Sequence, residues 1–393
     1  LFRLQRVTLT DFRNYKSLTF TPDARLNVVT GANGSGKTNL LEAISLLIPG
    51  RGLRASRPEG IPRVGADTWA VAARIERDGV VHDVGTGTLV RATSGPAAIR
   101  PRSFRLDGEP VRTQADISSL MSIVWLTPQM ERLFGEAASG RRRFLDRLVS
   151  DVDSSHPRAM AAHEAAVGNR NRLLIERHEE NAWLSATEDA IARHATAATA
   201  ARLGYCRRIN VLGGTKSGFP ASRLILQCPI AERLETDPAR LVEDWLRETL
   251  AQRRPDDARQ AVTTVGAHRT DLMIEERETG LPAHLASTGQ QKSLLVGLIL
   301  AHASLIEADR GQPPLLLLDE PLVHLDGIRR EGLFRHLSSI ASQILLTGTD
   351  AASFDDLTDE AAFWQVAGNM VVTRSSSAAS LAAGGRKHYD PSA

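Results

Sequence analysis

The chain has 393 residues, 42% of them apolar, which is enough for one large domain or two to three lobes and excludes wholesale disorder. Its 48 basic and 46 acidic side chains leave a net charge of +2, so charge alone does not argue for a nucleic-acid partner. No apolar run is long enough to span a bilayer, and the opening segment reads as a strand, not a signal peptide. Cys206 and Cys228 lack metal-ligand spacing, so buried thiols in a reducing cytoplasm are expected.

Residues 1–30 predict an antiparallel strand pair and then a third strand. Leu4, Val7, Leu9 and Phe12 stand among polar residues, Arg13-Asn14-Tyr15 makes the turn, and Leu18 and Phe20 alternate out of it. Apolar Leu26 to Val29 then runs into Gly31-Ala32-Asn33-Gly34-Ser35-Gly36-Lys37-Thr38, a match to the phosphate-loop pattern G-x-x-x-x-G-K-[ST]. Asn39-Leu40-Leu41-Glu42 follows as the first turns of a helix. Glycines let the backbone wrap an anion, and the helix N-terminus faces the same charge. Lys37 is expected to reach the β/γ-phosphates and Thr38 to hold Mg²⁺. Only five lysines occur in the chain, so one inside a glycine loop stands out. Gly31, Asn33, Gly34, Gly36, Lys37, Thr38 and Asn39 are the nucleotide-binding candidates of this stretch.

Residues 51–115 carry short β-like pieces at Trp69 to Ile75, Val80 to Val84 and Phe104 to Glu109, with a hairpin signal at Asp78-Gly79. They predict an antiparallel subsheet. Ile123 to Leu126 is a further strand, stopped by Pro128, with Gln129 just beyond. Residues 130–147 turn helical and carry the basic cluster Arg141-Arg142-Arg143-Phe144-Leu145-Asp146-Arg147, either a solvated face or a phosphate contact. Residues 158–206, poor in Gly and Pro, predict two antiparallel helices divided around 179–184. A turn at Gly213-Gly214, a short strand at Leu224 to Leu226 and a helix over Ala239 to Gln252 follow.

The second chemical half begins near residue 285. Ser287-Thr288-Gly289-Gln290-Gln291-Lys292 opens an apolar helix. Leu315 to Leu318 is a wholly apolar strand, as in the middle of a parallel sheet, and it ends in Asp319-Glu320. Gln343 to Thr347 is the next strand. Beside a phosphate loop, Asp319 suits the outer shell of Mg²⁺, and Glu320 suits orienting or deprotonating the attacking water. A serine hydroxyl and free helical N–H groups at Ser287 suit a γ-phosphate. Since Lys37 already serves that phosphate, the Ser287 device makes sense if it caps ATP held by a second copy.

This order of motifs resembles the SMC-like branch of the ABC ATPase superfamily and, more narrowly, the RecF recombination-repair family. Phe12-Arg13-Asn14-Tyr15, the loop Gly31 to Glu42, Ser139-Gly140-Arg141-Arg142-Arg143-Phe144-Leu145-Asp146, Gly266-Ala267-His268-Arg269-Thr270-Asp271-Leu272, Ser287 to Lys292, Leu315 to Asp326 and Thr347 to Asp350 carry the likeness. Ala267 stands in place of a proline, Ala286 of the usual signature leucine, and Thr288 of the signature's first glycine. No histidine occupies the switch position after Thr347, where Thr349 or Asp350 stands instead.

The resemblance implies an α/β fold: an ABC-type ATPase head with an N-terminal antiparallel subsheet and an inserted, mostly helical lobe. The expected division is 1–150 and 256–375 for the ATPase lobe, 151–255 for the helical lobe and 376–393 for a flexible tail. It implies a weak DNA-stimulated ATPase that binds ATP and Mg²⁺ and dimerises on ATP. It also implies binding to double-stranded and gapped DNA, and work with RecR and RecO so that RecA loads, in a cytoplasmic, nucleoid-associated setting. By motif match Gln129 reaches the metal and water, Ser287, Gly289 and Gln290 cap the partner's ATP, Asp326 crosses the dimer interface, and Arg13 and Asn14 lie near the nucleotide. Arg57, Arg141 and Arg142 are candidate DNA contacts. The alternatives are another SMC-like ATPase of chromosome maintenance and a nucleotide-gated structural protein with little turnover.

Overall fold

The computed structural model describes residues 2–88, 102–176, 181–212, 218–357, 359–367 and 370–373. The expected tail and the Gly213-Gly214 turn lie outside the described residues. The chain divides into two compact units. The first holds the described residues up to Trp125, Leu315–Leu322 and those from Ile340 onward; the second holds Leu126–Pro314 and Val323–Ser339.

In the first unit, β1 (Phe2–Phe12) and β2 (Tyr15–Phe20) pair antiparallel, with Phe12 opposite Tyr15. Their alternating burial follows from apolar residues at every second position. β3 (Leu26–Thr30) is buried along its whole length and leads to α1 (Lys37–Ser45). β4 (Ala70–Arg77), β5 (Val80–Thr88), β6 (Arg102–Leu106) and β7 (Glu109–Pro110) extend the β1–β2 pair into a sheet of order β2-β1-β4-β5-β6-β7. The expected Asp78-Gly79 hairpin joins β4 to β5, both residues having positive φ. α2 (Gln114–Leu120) and β8 (Ile123–Leu126) follow.

The second unit is built on helices. α3 (Ala138–Val152) carries the arginine cluster, and α4 (His156–Glu176) and α5 (Asn181–Leu212) are the two predicted long helices. β9 (Ser222–Gln227), α6 (Pro229–Leu234), α7 (Ala239–Gln252), α8 (Arg254–Gln260) and β10 (Asp271–Glu276) come next, β9 and β10 forming an antiparallel ribbon. α9 (Thr288–Arg310) is the apolar helix that Ser287 opens. Ionic clusters tie these helices together. Fully buried Arg170 meets Glu188 (3.0 Å) and Asp257 (2.6 Å), and fully buried Arg202 meets Asp146 (2.7 and 2.9 Å). A guanidinium is tolerated in such a place only when carboxylates and carbonyls accept hydrogen bonds from its N–H groups. Burial by itself would raise the Asp146 carboxyl, but bonds from His156 and Arg202 outweigh it and hold it below the ordinary range.

The chain then returns to the first unit with β11 (Leu315–Leu318), gives α10 (Gly327–Ser339) to the second, and ends in β12 (Ile344–Gly348), β13 (Ala361–Ala367) and β14 (Met370–Thr373). The resulting sheet has the order β14-β13-β3-β12-β11-β8, with β11, β12, β3 and β13 mutually parallel. Its central strands are buried along their whole length, which suits their mostly apolar sequences. The two sheets of this unit are tied by one glutamine. Where the β1 register shifts between Leu4 and Arg6, Leu4 N–H donates to Gln343 Oε1 (2.6 Å) and Gln343 Nε2 donates back to the Leu4 carbonyl (3.1 Å).

Leu317 in β11 is fully buried. Leu317→Ala is expected to cost about 2–5 kcal/mol, read as a lower urea midpoint at unchanged m value.

Candidate nucleotide site

Parallel register decides where the motifs meet. Thr30 at the end of β3 pairs with Gly348, and Leu318 at the end of β11 pairs with Leu346. The carboxyl ends of β3, β12 and β11 therefore line one edge of the sheet, the edge at which ligands bind in open α/β folds. Residues 31–38 and Asp319-Glu320 leave from that edge.

The loop is shaped by the β1–β2 turn beneath it. Gly36 caps α1 at a φ of +114, and a Cβ there would stand 2.5 Å from the Tyr15 hydroxyl and 2.6 Å from Asn14 Nδ2. Only glycine fits both the space and the dihedral. The Lys37 side chain folds back over the loop, its Nζ donating to the carbonyls of Gly31 (2.7 Å) and Ala32 (3.0 Å). Burial lowers its pKa, while Glu320 and Asp319 act in the opposite direction. Ser35 Oγ is shielded from solvent and has no hydrogen-bond partner among the described residues. Such an orphaned hydroxyl, at a helix N-terminus beside a lysine, fits a phosphate group.

Asp319 faces this loop. Its two oxygens each stand 3.0 Å from Thr38 Oγ1, and Oδ1 also accepts from Thr347 Oγ1 (2.7 Å). Thr347 Oγ1 in turn accepts from the Glu320 N–H (2.9 Å). Glu320 has a φ of +49, so the chain turns sharply straight after Asp319 and leaves the Glu320 side chain half-buried. One hydroxyl and one carboxylate form the lean protein donor set typical of Mg²⁺, which completes its octahedron from phosphates and water. Among the described residues no cluster of three or more His, Cys, Asp or Glu side chains could hold a metal on its own.

A ring of polar contacts braces α1. Fully buried Glu42 takes Arg13 (2.6 and 2.9 Å), Arg54 (3.2 Å) and Ser56 (2.9 Å). Asn39 donates to Asn14 Oδ1 (2.6 Å) and accepts from Arg54 (2.6 Å). Arg13 and Asn14 are thus fastened to the helix that follows the loop. At the other end of α1, Arg102 donates to the carbonyls of Leu46, Ile48 (2.8 Å) and Gly50 (2.6 Å). Burial pushes its pKa down to about 10.

Gln129, Ser287, Gly289, Gln290 and Asp326 belong to the second unit. Gln129 is exposed at the start of the 3-10 turn Pro128–Gly135. Ser287 and Gln290 form a capping box on α9: Ser287 Oγ accepts from Gln290 N–H (3.3 Å) and Gln290 Oε1 from Ser287 N–H (2.9 Å). Asp326 Oδ1 accepts from Arg329 N–H (2.9 Å) ahead of α10.

Some roles were invisible in the sequence. Thr347, within β12, reaches Asp319, and Asp350 accepts from Ala352 N–H (3.1 Å) within its own turn. A hydroxyl in an apolar strand next to the D-E strand was the available signal. Arg54 and Arg102 lie outside any motif, and nothing in the stretch 31–42 marks Glu42 as an anchor for arginines. Of the basic candidates, Arg57 is exposed, but Arg141 is fork-paired with Asp271 (2.6 and 2.8 Å) and Arg142 donates to the Thr270 carbonyl (2.6 Å). Those two arginines hold α3 against β10, a local structural task that their run of charge did not reveal.

A phosphate loop after β3, an acidic β11 end and a flanking antiparallel sheet define an ABC-type ATPase head of the SMC-like kind. A family model described as RecF/RecN/SMC N terminal domain matches residues 3–368. The chain is 41% identical over 372 residues to the DNA replication and repair protein RecF of Rhizobium etli, covering 94% of this chain and 98% of that one, and 40% identical over 366 residues to its namesake in Agrobacterium fabrum, covering 92% and 96%. The chain belongs to the RecF family. A solved structure of the recombination mediator protein RecF-ATP in the RecFOR pathway superposes with a TM-score of 0.81 at 22% identity over 95% of this chain and 98% of that one. The Smc head domain of Pyrococcus furiosus bound to the C-terminal domain of ScpA shares the fold at a TM-score of 0.52 and 17% identity, over 95% and 96%. Among the described residues no helix is long and apolar enough to cross a membrane.

Thr347→Val removes the hydroxyl that orders both Asp319 and the Glu320 backbone. The folded variant is expected to keep its nucleotide affinity and lose about tenfold in turnover, the equivalent of one hydrogen bond to a charged group at ~1.5 kcal/mol. Steady-state kinetics beside a fluorescent-nucleotide titration check this.

Proposed function

We propose that this chain is an ATP-dependent DNA repair and recombination protein in which ATP closes a dimer over duplex DNA near single-strand gaps. Slow, DNA-stimulated hydrolysis then opens it. The observation that carries the reading is the contact of Thr38 with Asp319, which joins the phosphate loop to the acidic strand end across 281 positions of sequence. The family relationship supplies the DNA context.

In this reading Lys37 leaves the Gly31 and Ala32 carbonyls for the β/γ-phosphates. The loop residues Gly31, Asn33, Gly34 and Gly36 line the phosphates, with Asn39, Arg13 and Asn14 behind them. Thr38 and Asp319 would hold Mg²⁺, which would neutralise developing charge on the phosphate oxygens. Glu320 takes the proton of the attacking water, and Thr347 fixes its backbone. Ser287, Gly289 and Gln290 of a second copy cap the γ-phosphate, and Asp326 crosses between copies. Residues 1–150 and 256–375 act as the ATPase lobe and 151–255 as the helical lobe. RecR and RecO are the working partners and RecA loading the outcome, on gapped DNA in the cytoplasm at the nucleoid.

Three variants test this by solution mass with and without ATP and then with duplex or gapped DNA. Lys37→Ala is expected to lose ATP binding and closure. Glu320→Gln is expected to bind ATP, persist as a dimer and turn over at least about a hundredfold more slowly; native-rate hydrolysis would refute the assigned base. Ser287→Arg is expected to bind ATP as a monomer, and a normal ATP-dependent dimer would refute capping between copies. Turnover indifferent to DNA would favour a nucleotide-gated structural protein.

A further inference from the structure

Lys292 closes the Ser287–Lys292 segment, yet the reading above gives it no task. Its side chain is fully buried. A buried ammonium is unfavourable unless a carboxylate meets it, and Glu131 Oε1 does so at 2.6 Å. Glu131 lies two residues after Gln129. Its second oxygen, Oε2, stands 3.1 Å from Nδ1 of His324, two residues before Asp326. The carboxylate therefore joins three segments: the turn that carries Gln129, the helix that Ser287 opens, and the stretch that ends in Asp326. A second contact shows how closely the last two fit. A Cβ on Gly289 would stand 3.2 Å from the His324 carbonyl and 3.5 Å from Arg329 Nη1, and Arg329 itself pairs with Asp326 at 3.3 Å.

The two halves of this bridge differ in kind. The Lys292 half is enclosed, so breaking it would strand a charge away from water. The His324 half is open to solvent, its ring 53% exposed and its backbone in the left-handed region at a φ of +65. A pair so exposed is weak and exchanges readily with water.

We infer that Glu131 is a positioning residue that sets the register between the Ser287 cap and the Asp326 segment, with His324 as its detachable member. The inference rests on the two-copy reading of the site. With His324 docked, the capping surface is ordered before a second copy arrives. With His324 released, that ordering has to occur during association, which weakens the dimer and slows turnover. Nucleotide binding by the phosphate loop is untouched in either state.

The test is a double-mutant cycle in the full chain with Glu131→Gln and His324→Gly, glycine being chosen because it accepts the left-handed backbone. Glu131→Gln is expected to weaken the ATP-dependent dimer and lower kcat by about tenfold and His324→Gly by about threefold, each with unchanged ATP affinity of the monomer. The double variant is expected to be no worse than Glu131→Gln, because both act through one bond. A mere structural staple would show the same coupling in a lower melting temperature, without a split between ATP affinity and kcat. Additive effects, or a His324→Gly protein that dimerises and turns over like the parent, overturn the inference while leaving the two-copy site intact. If Glu131→Gln does not fold, His324→Gly decides alone by the same split. A parent chain that binds ATP yet never dimerises overturns the two-copy reading itself, and this inference with it.

Discussion

Asp319 is a carboxylate 4% exposed to solvent, and two threonine hydroxyls stand against it. Burying such a carboxyl is costly unless hydrogen bonds replace water, and Thr38 and Thr347 supply them. Those donors come from the segments after β3 and within β12, so the bonds require the strand order β3-β12-β11 and its register. A slip of one residue along β12 would turn Thr347 to the other face of the sheet and leave Asp319 short of a partner. The parallel sheet is therefore the device that converts distant stretches of chain into one site.

The bracing of α1 follows the same logic. The helix must present its N-terminus to an anion while its far end lies under the antiparallel sheet. Arg102 satisfies the carbonyls at that far end, and Glu42 anchors Arg13 and Arg54 along the flank. Orphan helix carbonyls and a buried carboxylate are each unfavourable alone and are met here by arginines. In the second unit, Arg170, Arg202 and the Glu131–Lys292 pair repeat this habit. Arg170 and Arg202 are fully buried, so part of this chain's basic charge is interior fastening.

Much of the fold was legible beforehand. The loop 31–38, the all-leucine β11, the Asp78-Gly79 hairpin, the two long helices and the span Ala239–Gln252 all carried local signals: period, turn residues or apolar runs. Arg141 and Arg142 were less legible, since a charged residue on a helix looks the same whether it meets solvent, phosphate or Asp271. Glu42, Arg102 and His324 were not legible as partners, and Thr347 showed only as a hydroxyl in an apolar strand.

The sequence by itself determined the phosphate loop, the acidic strand end, the helix start at Ser287 and the family, because each rests on motifs of residues close together in the chain. Only the tertiary structure decided that Thr347 holds both Asp319 and the Glu320 backbone, that Arg13 and Asn14 fasten to α1, and that Glu131 bridges Lys292 to His324. Those pairings depend on strand order and burial. The partners of a buried charge are set by what the folded chain brings within about 3 Å of it, and no local pattern encodes that distance.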